Sequence, residues 1–138
     1  MAHSNEASIK AFYAYISEGR LDLVGDFLAD DVTWQIPGNS PLSGCYVGKE
    51  AVFGFFAKIV EVYGGTFKIE VVGVLADDKY GVVVGVESGV AEGKELESDS
   101  VHVWTIRDGK CASFQSYVDD SYHQFWARQL QTAASHDG

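Results

Sequence analysis

Cysteine, proline and positive charge are all scarce in this 138-residue chain, and each shortage excludes something. The two cysteines, Cys45 and Cys111, belong to no CxxC spacing and have no histidines close by. A disulfide between them stays open, but two buried free thiols in a reducing cytoplasm is the preferred reading. Both prolines fall in one stretch, Pro37 to Gly48, so the remainder is free to form regular structure. Lysine and arginine number 10 against 20 aspartates and glutamates, a formal net charge of −10. Such a surface repels phosphate backbones and anionic bilayers, so neither a nucleic acid nor a membrane is an expected partner. No apolar run approaches the roughly 20 residues of a membrane span. The opening, Met1 to Glu6, lacks the basic and apolar regions of a secretory signal, so a cytoplasmic location is expected.

Cofactor signatures are missing too. His3, His123 and His136 do not form metal spacing. Gly48-Lys49 lacks the glycine run of a phosphate loop, and Gly81 to Gly89 lies inside a strand pattern rather than a dinucleotide fingerprint. No metal and no cofactor are expected.

What is present is apolar. Hydrophobic residues make up 46% of the chain and charged ones 22%, which describes one folded domain over residues 1–138. A domain this long buries roughly two-thirds of its unfolded surface, needs no metal or disulfide to fold, and has apolar residues left to line a cavity.

The first periodic segment runs from about Asn5 to Glu18, with Ile9, Phe12, Tyr13 and Ile16 on one helical stripe. Ser4 or Asn5 is placed to cap it and Gly19 to end it. A second short helix is predicted from about Leu21 to Leu28, closed by a solvated Asp30-Asp31 turn. Val32 to Ile36 alternates as a strand, and Pro37 to Gly48 reads as a loop. A third helix is predicted over Lys49 to Tyr63, buried through Val52, Phe55, Phe56, Ile59 and Tyr63. The period then changes from 3.6 to 2, and strands follow at about Thr66–Ala76, Lys79–Ala91, Lys94–Arg107 and Lys110–Val118. Asp77-Asp78, Glu92-Gly93 and Asp108-Gly109 connect them as hairpins. From Asp119 a short final helix carries Tyr122, Phe125, Trp126 and Leu130, and the polar tail from about Thr132 is expected to fray.

Three helices followed by long antiparallel strands is an α+β pattern with the helices on one face of the sheet. Strands this long curl with the sheet twist, and a curled sheet closed by helices is a cone around a cavity. The facing of the last two strands depends on the Arg107-Asp108-Gly109 turn. A two-residue turn sets His102 opposite Gln115, and a bulged turn sets it opposite Phe114. The apolar pattern favours the bulge, which points Ser98, Ser100, His102, Trp104, Phe114, Ser116 and Val118 inward. Val101, Val103 and Tyr117 then point outward, an apolar outer face suited to a homodimer.

Several segments now resemble a known family. Phe27 to Trp34, Pro37-Gly38, Gly44 to Val52, His102 to Lys110 and Tyr117-Val118-Asp119 are similar to SnoaL-like proteins of the NTF2-like superfamily, related to ketosteroid isomerases. The resemblance spans about Asn5 to Trp126. It implies an NTF2-like cone: a curved antiparallel sheet packed against three N-terminal helices, with a short C-terminal helix. It also implies a pocket for a small, mostly apolar molecule, and frequent dimerisation. Ketosteroid isomerases place a tyrosine, an aspartate base and a protonated aspartate at positions that look like Phe12, Ile36 and His102 here. That mechanism is disfavoured unless Tyr13 or Tyr15 substitutes. The Asp-Arg-Asp set of limonene-epoxide hydrolases is also unmatched, because Arg107 lies at a turn.

SnoaL-like cyclases pair an acid–base carboxylate with a histidine, which the resemblance places at Asp119 and His102. An inward imidazole near neutral pKa suits proton transfer or carbonyl polarisation. Asp119 is either the carboxylate base or the cap of the last helix. Trp34, Phe56, Trp104 and Phe114 are candidate aromatic lining, with Tyr46 and Ser116 orienting the ligand. The expected activity is cofactor-free isomerisation, dehydration or cyclisation of a small carbonyl compound. The alternative is a non-catalytic NTF2-like ligand-binding or dimerisation module.

Overall fold

The computed structural model describes residues 3–137, with side chains described as far as residue 129. Helix α1 (Ser4–Ser17) buries Ile9, Phe12 and Tyr13 of the predicted stripe and leaves Ile16 half-buried. Its cap is His3 rather than Ser4 or Asn5, the ring accepting the Asn5 N–H at 3.1 Å. Gly19, at φ 72°, ends the helix in the left-handed region where a side chain would be strained.

The predicted second helix is shorter than expected. Helix α2 (Leu21–Val24) passes through a 3-10 turn at Gly25–Phe27 and gives way to strand β1 (Leu28–Ile36). Two acidic residues at a helix C-terminus oppose its dipole, and Asp30-Asp31 instead lie exposed within β1. There Lys49 pairs with Asp30 at 3.4 Å, and Arg107 pairs with Asp31. The predicted Pro37–Gly48 loop holds one further strand, β2 (Gly44–Val47), paired back onto β1 with Trp34 opposite Tyr46. Cys45 sits on this edge strand and is exposed, so only Cys111 is a buried thiol, pushed up to about 12 by its burial.

Helix α3 (Lys49–Tyr63) matches its predicted span and ends at Gly64. Strands β3 (Lys68–Ala76), β4 (Tyr80–Ala91), β5 (Lys94–Arg107) and β6 (Lys110–Val118) follow. The sheet order is β2-β1-β6-β5-β4-β3. All neighbours are antiparallel except β1 and β6, which run parallel with Trp34 opposite Phe114. The curved antiparallel sheet expected from the pattern is present, with one parallel pair where β1 reaches β6 by a long crossover rather than a hairpin.

Helix α4 (Asp120–Asp137) is longer than the short helix expected and covers the stretch expected to fray. Neither glycine nor proline interrupts it before Gly138. The predicted Leu130 contact lies outside the described side chains. No helix among the described residues is long and apolar enough to cross a membrane.

The β5–β6 turn follows neither predicted register. Asp108 and Gly109 both have positive φ, 54° and 74°, a two-residue turn joining Arg107 to Lys110. The bulge lies further along, between the pairs Ile106–Cys111 and Thr105–Ser113, so His102 faces Ser116 and Trp104 faces Phe114. The extra residue restores the parity that the apolar pattern required. His102, Trp104, Phe114 and Ser116 are all buried, while Tyr117 is 56% exposed.

The inward face of β4 brings the helices close. Gly81, Val83, Gly85, Glu87, Gly89 and Ala91 alternate as buried positions. A Cβ at Gly81 would stand 2.4 Å from Ile9 Cδ1, and one at Gly89 2.8 Å from Tyr63 Cδ1. These glycines therefore let side chains of α1 and α3 reach the sheet, and Glu87 comes down between them.

Candidate functional site

A cavity of about 370 Å³ opens between the sheet and helices α1, α3 and α4. Most of its wall is carbon: Phe12, Ile16, Ile36, Phe55 and Ile59 among others. Trp34 and Phe114, neighbours on β1 and β6, stack with centroids 3.7 Å apart and planes 3° from parallel. Phe114 in turn lies 4.6 Å from the His102 ring.

Against this apolar wall stands a buried polar chain. His102 is 2% exposed; its Nδ1 lies 2.6 Å from Tyr13 Oη and its Nε2 lies 2.9 Å from Glu87 Oε1. The Trp104 indole N–H donates to Tyr13 Oη at 3.4 Å. With Glu87 ionised and the ring neutral, Nε2 must carry the proton and donate it to the carboxylate. Nδ1 then accepts from the Tyr13 hydroxyl. Burial, with the nearby Glu87 carboxylate adding to it, holds the Tyr13 phenol well above its ordinary pKa, so it stays a proton donor.

The predicted site residues divide. His102, Trp34, Phe56, Phe114 and Ser116 all line the cavity. Trp104 lies outside that lining, behind Tyr13, with its ring edge-on to Phe12 at 4.9 Å. Tyr46 is also outside it: its hydroxyl donates to the Leu42 carbonyl at 2.8 Å and its ring rests on Phe55.

Asp119 stands away from the cavity, at the start of α4. One carboxylate oxygen accepts the Ser121 N–H at 2.8 Å and the other accepts the Asp99 N–H at 2.9 Å. Hydrogen bonding, first to the Asp99 amide, holds its pKa below the ordinary carboxylate value. Of the two roles open to it in the sequence, the geometry fits the helix cap. A depressed folded pKa gives stability that is present above the ordinary carboxylate range and lost as pH falls through the folded value. Asp119→Ala should therefore cost about 1 kcal/mol near neutrality, with the gap to wild type closing in acid. Thermal melts from pH 7 to pH 3 would check this; an equal gap at both ends would remove the carboxylate's role.

Two members of the polar chain come from outside the predicted site residues. Tyr13, one residue past the Phe12 position, supplies the phenol that Phe12 lacks, while Tyr15 packs on Phe27. Glu87 is not among the sequence-based expectations. The alternation of β4 did carry a signal, because Glu87 is the one charged residue on a face otherwise made of glycine, valine and alanine.

The SnoaL-like domain profile matches residues 9–114. The chain belongs to the SnoaL-like domain family. Solved structures agree on the fold. Bal32a, from a soil-derived mobile gene cassette, is 26% identical, with 88% of this chain and 95% of that one covered at TM-score 0.82. A protein with a cystatin-like fold from Xanthomonas campestris is 28% identical over 91% and 98%, TM-score 0.81. An NTF2-like protein from Burkholderia xenovorans LB400 is 26% identical over 93% and 97%, TM-score 0.76. No curated protein matches the chain. Family membership thus carries the architecture, and the chemistry must be argued from the side chains.

Proposed function

We propose that this SnoaL-like protein binds a small, mostly apolar carbonyl compound and moves a proton on it without a cofactor, in an isomerisation, dehydration or cyclisation. The observation that supports this reading is the Glu87–His102–Tyr13 chain, buried at the wall of an otherwise carbon-lined cavity. The Tyr13 hydroxyl turns from His102 to the substrate carbonyl oxygen, freeing the Nδ1 lone pair. Nδ1 takes a proton from the carbon beside the carbonyl, and the C–H electron pair becomes the enolate double bond. The charge arriving on oxygen is held by the Tyr13 donor, and the new imidazolium is held by Glu87. Return of the proton at another carbon completes an isomerisation. Its transfer to a departing β-hydroxyl, which leaves as water, completes a dehydration. Attack of the enolate carbon on a second carbonyl of the same molecule, whose oxygen takes the proton, completes a cyclisation.

The test is proton exchange, which needs no knowledge of the product. Cyclic ketones and enones incubated with the protein in D2O should lose their α-proton NMR signals faster than in buffer. Ligands that bind without exchanging would favour the second reading, a non-catalytic binding module. That reading draws support from the same contacts, since both ring nitrogens of His102 already have protein partners.

The proposal includes a homodimer through the outer sheet face. Leu75, Val82 and Val103 lie side by side across β3, β4 and β5, and Val84, Val101 and Tyr117 form the next row across β4, β5 and β6. Leu75 is 70% exposed and Val84 45%, a contiguous apolar surface on a chain of net charge −10. A second copy would cover this patch through an isologous contact, whose apolar burial must outweigh the like-charge repulsion between copies. Val84→Asp should convert a dimer to a monomer in light scattering, and a wild-type monomer at every concentration would remove the interface.

A further inference from the structure

Two residues on the inward face of β5, His102 and Trp104, reach for the same atom. Positions i and i+2 of a strand stand roughly 7 Å apart. The Tyr13 hydroxyl comes down from α1 between them, with Oη 2.6 Å from His102 Nδ1 and 3.4 Å from Trp104 Nε1. Room for α1 to approach comes from β4, where Gly81 pairs with Trp104 and a Cβ would run into Ile9. All three polar residues are buried, but they do not share one surface. His102 and Tyr13 line the cavity, whereas Trp104 stays outside that lining.

The chemistry of the three groups gives this arrangement a direction. An indole N–H is a donor only, while a phenol both donates and accepts. Two hydrogens cannot share one contact, so the Trp104 N–H closes the side of Oη that faces it. The phenol proton is left the other side, where His102 Nδ1 lies. The four groups then donate in one sense, Trp104 to Tyr13 to His102 to Glu87, and each bond polarises the next. Burial raises the Tyr13 pKa, and the hydrogen bond from Trp104 acts against that rise. Such a bond strengthens a phenol as a donor toward an oxygen that is gaining charge.

We infer that Trp104 is a positioning residue of this site. Its indole N–H fixes the direction of the Tyr13 proton, toward His102 Nδ1 at rest and toward the carbonyl oxygen during the reaction. The second half of this inference rests on the carbonyl reading above, and the first half stands without it. The nitrogen, not the bulk of the ring, carries the role: Trp104→Phe keeps an aromatic ring beside Phe12 and loses only the donor and part of the packing.

Nitrogen NMR of the His102 ring tests the resting direction with no ligand needed. Glu87→Gln removes the charge that independently holds a proton on Nε2, because an amide can turn either its oxygen or its NH2 group to the ring. In that variant His102 should still be protonated on Nε2 alone. In Glu87→Gln/Trp104→Phe the phenol is free to rotate and accept from Nδ1, so both tautomers should appear. A mixture already present in Glu87→Gln, or one tautomer persisting in the folded double variant, overturns the inference. Kinetics test the second half. Trp104→Phe should lower kcat for α-proton exchange about three- to tenfold, the worth of one hydrogen bond, and leave KM within about twofold. An unchanged kcat, or a KM that rises in step, overturns it. If the wild type exchanges no ketone, the carbonyl reading falls and the tautomers alone decide. Should the Trp104→Phe proteins not fold, the wild-type indole proton decides: its signal should move upfield in Tyr13→Phe, which removes the acceptor, and an unmoved signal overturns the inference.

Discussion

His102→Ala should slow α-proton exchange by about 10²- to 10⁴-fold, the range expected when a positioned acid–base group is removed. The size follows from what the ring contributes. Its Nδ1 lone pair is the acceptor nearest the Tyr13 hydroxyl, and its Nε2 faces Glu87, which stabilises the ring once it is charged. Alanine removes the acceptor and leaves Glu87 without that partner in a buried place, so the variant should also melt earlier. The conservative Glu87→Gln variant separates the two effects. It keeps an oxygen toward Nε2 but cannot neutralise an imidazolium, so exchange should fall while the melting temperature changes less. Unchanged exchange in His102→Ala, with the protein folded, would take His102 out of the mechanism.

The largest stability loss is expected at Phe12. This ring is fully buried and meets Tyr13, Phe27, Trp34 and Trp104, joining α1 to β1 and β5. Phe12→Ala should cost about 3–5 kcal/mol, since the lost transfer energy is compounded by a hole that four other rings cannot collapse to fill. In a domain of this size that corresponds to a melting temperature lower by roughly 10–20 °C. Calorimetry on Phe12→Leu alongside it would scale the cavity effect. A Phe12→Ala loss under about 1 kcal/mol would mean that α1 is not anchored through this ring. Because Tyr13 is the next residue, the same variant should also loosen the polar chain.

Much of the architecture was legible because local periodicity reports burial directly. Ile9, Phe12 and Tyr13 share a helical stripe and are buried on α1; His102 and Trp104 alternate with Val101 and Val103 and divide between the two faces. Where tertiary pairing decides, the reading failed. Strand β2 is four residues long, too short to show a period, and exists because it hydrogen-bonds back to β1. The bulge between Ile106 and Thr105 depends on which register buries Phe114 and Ser116 together, so the right faces were inferred from the wrong pairing.

The site shows the same division. Alternation along β5, with the family resemblance, was enough to place one histidine on the inner face, because side-chain direction is a property of the strand itself. That Glu87 from β4 and Tyr13 from α1 would close on its two nitrogens depended on positions 15 and 89 residues away in the chain. Such contacts are set by how far a helix can sink onto a sheet, here by the glycines of β4, and no single segment contains that distance. Trp34 Nε1, buried with no hydrogen-bond partner, belongs to this second class. A sequence lists which groups can form hydrogen bonds, and only the packed structure shows which of them are left without a partner.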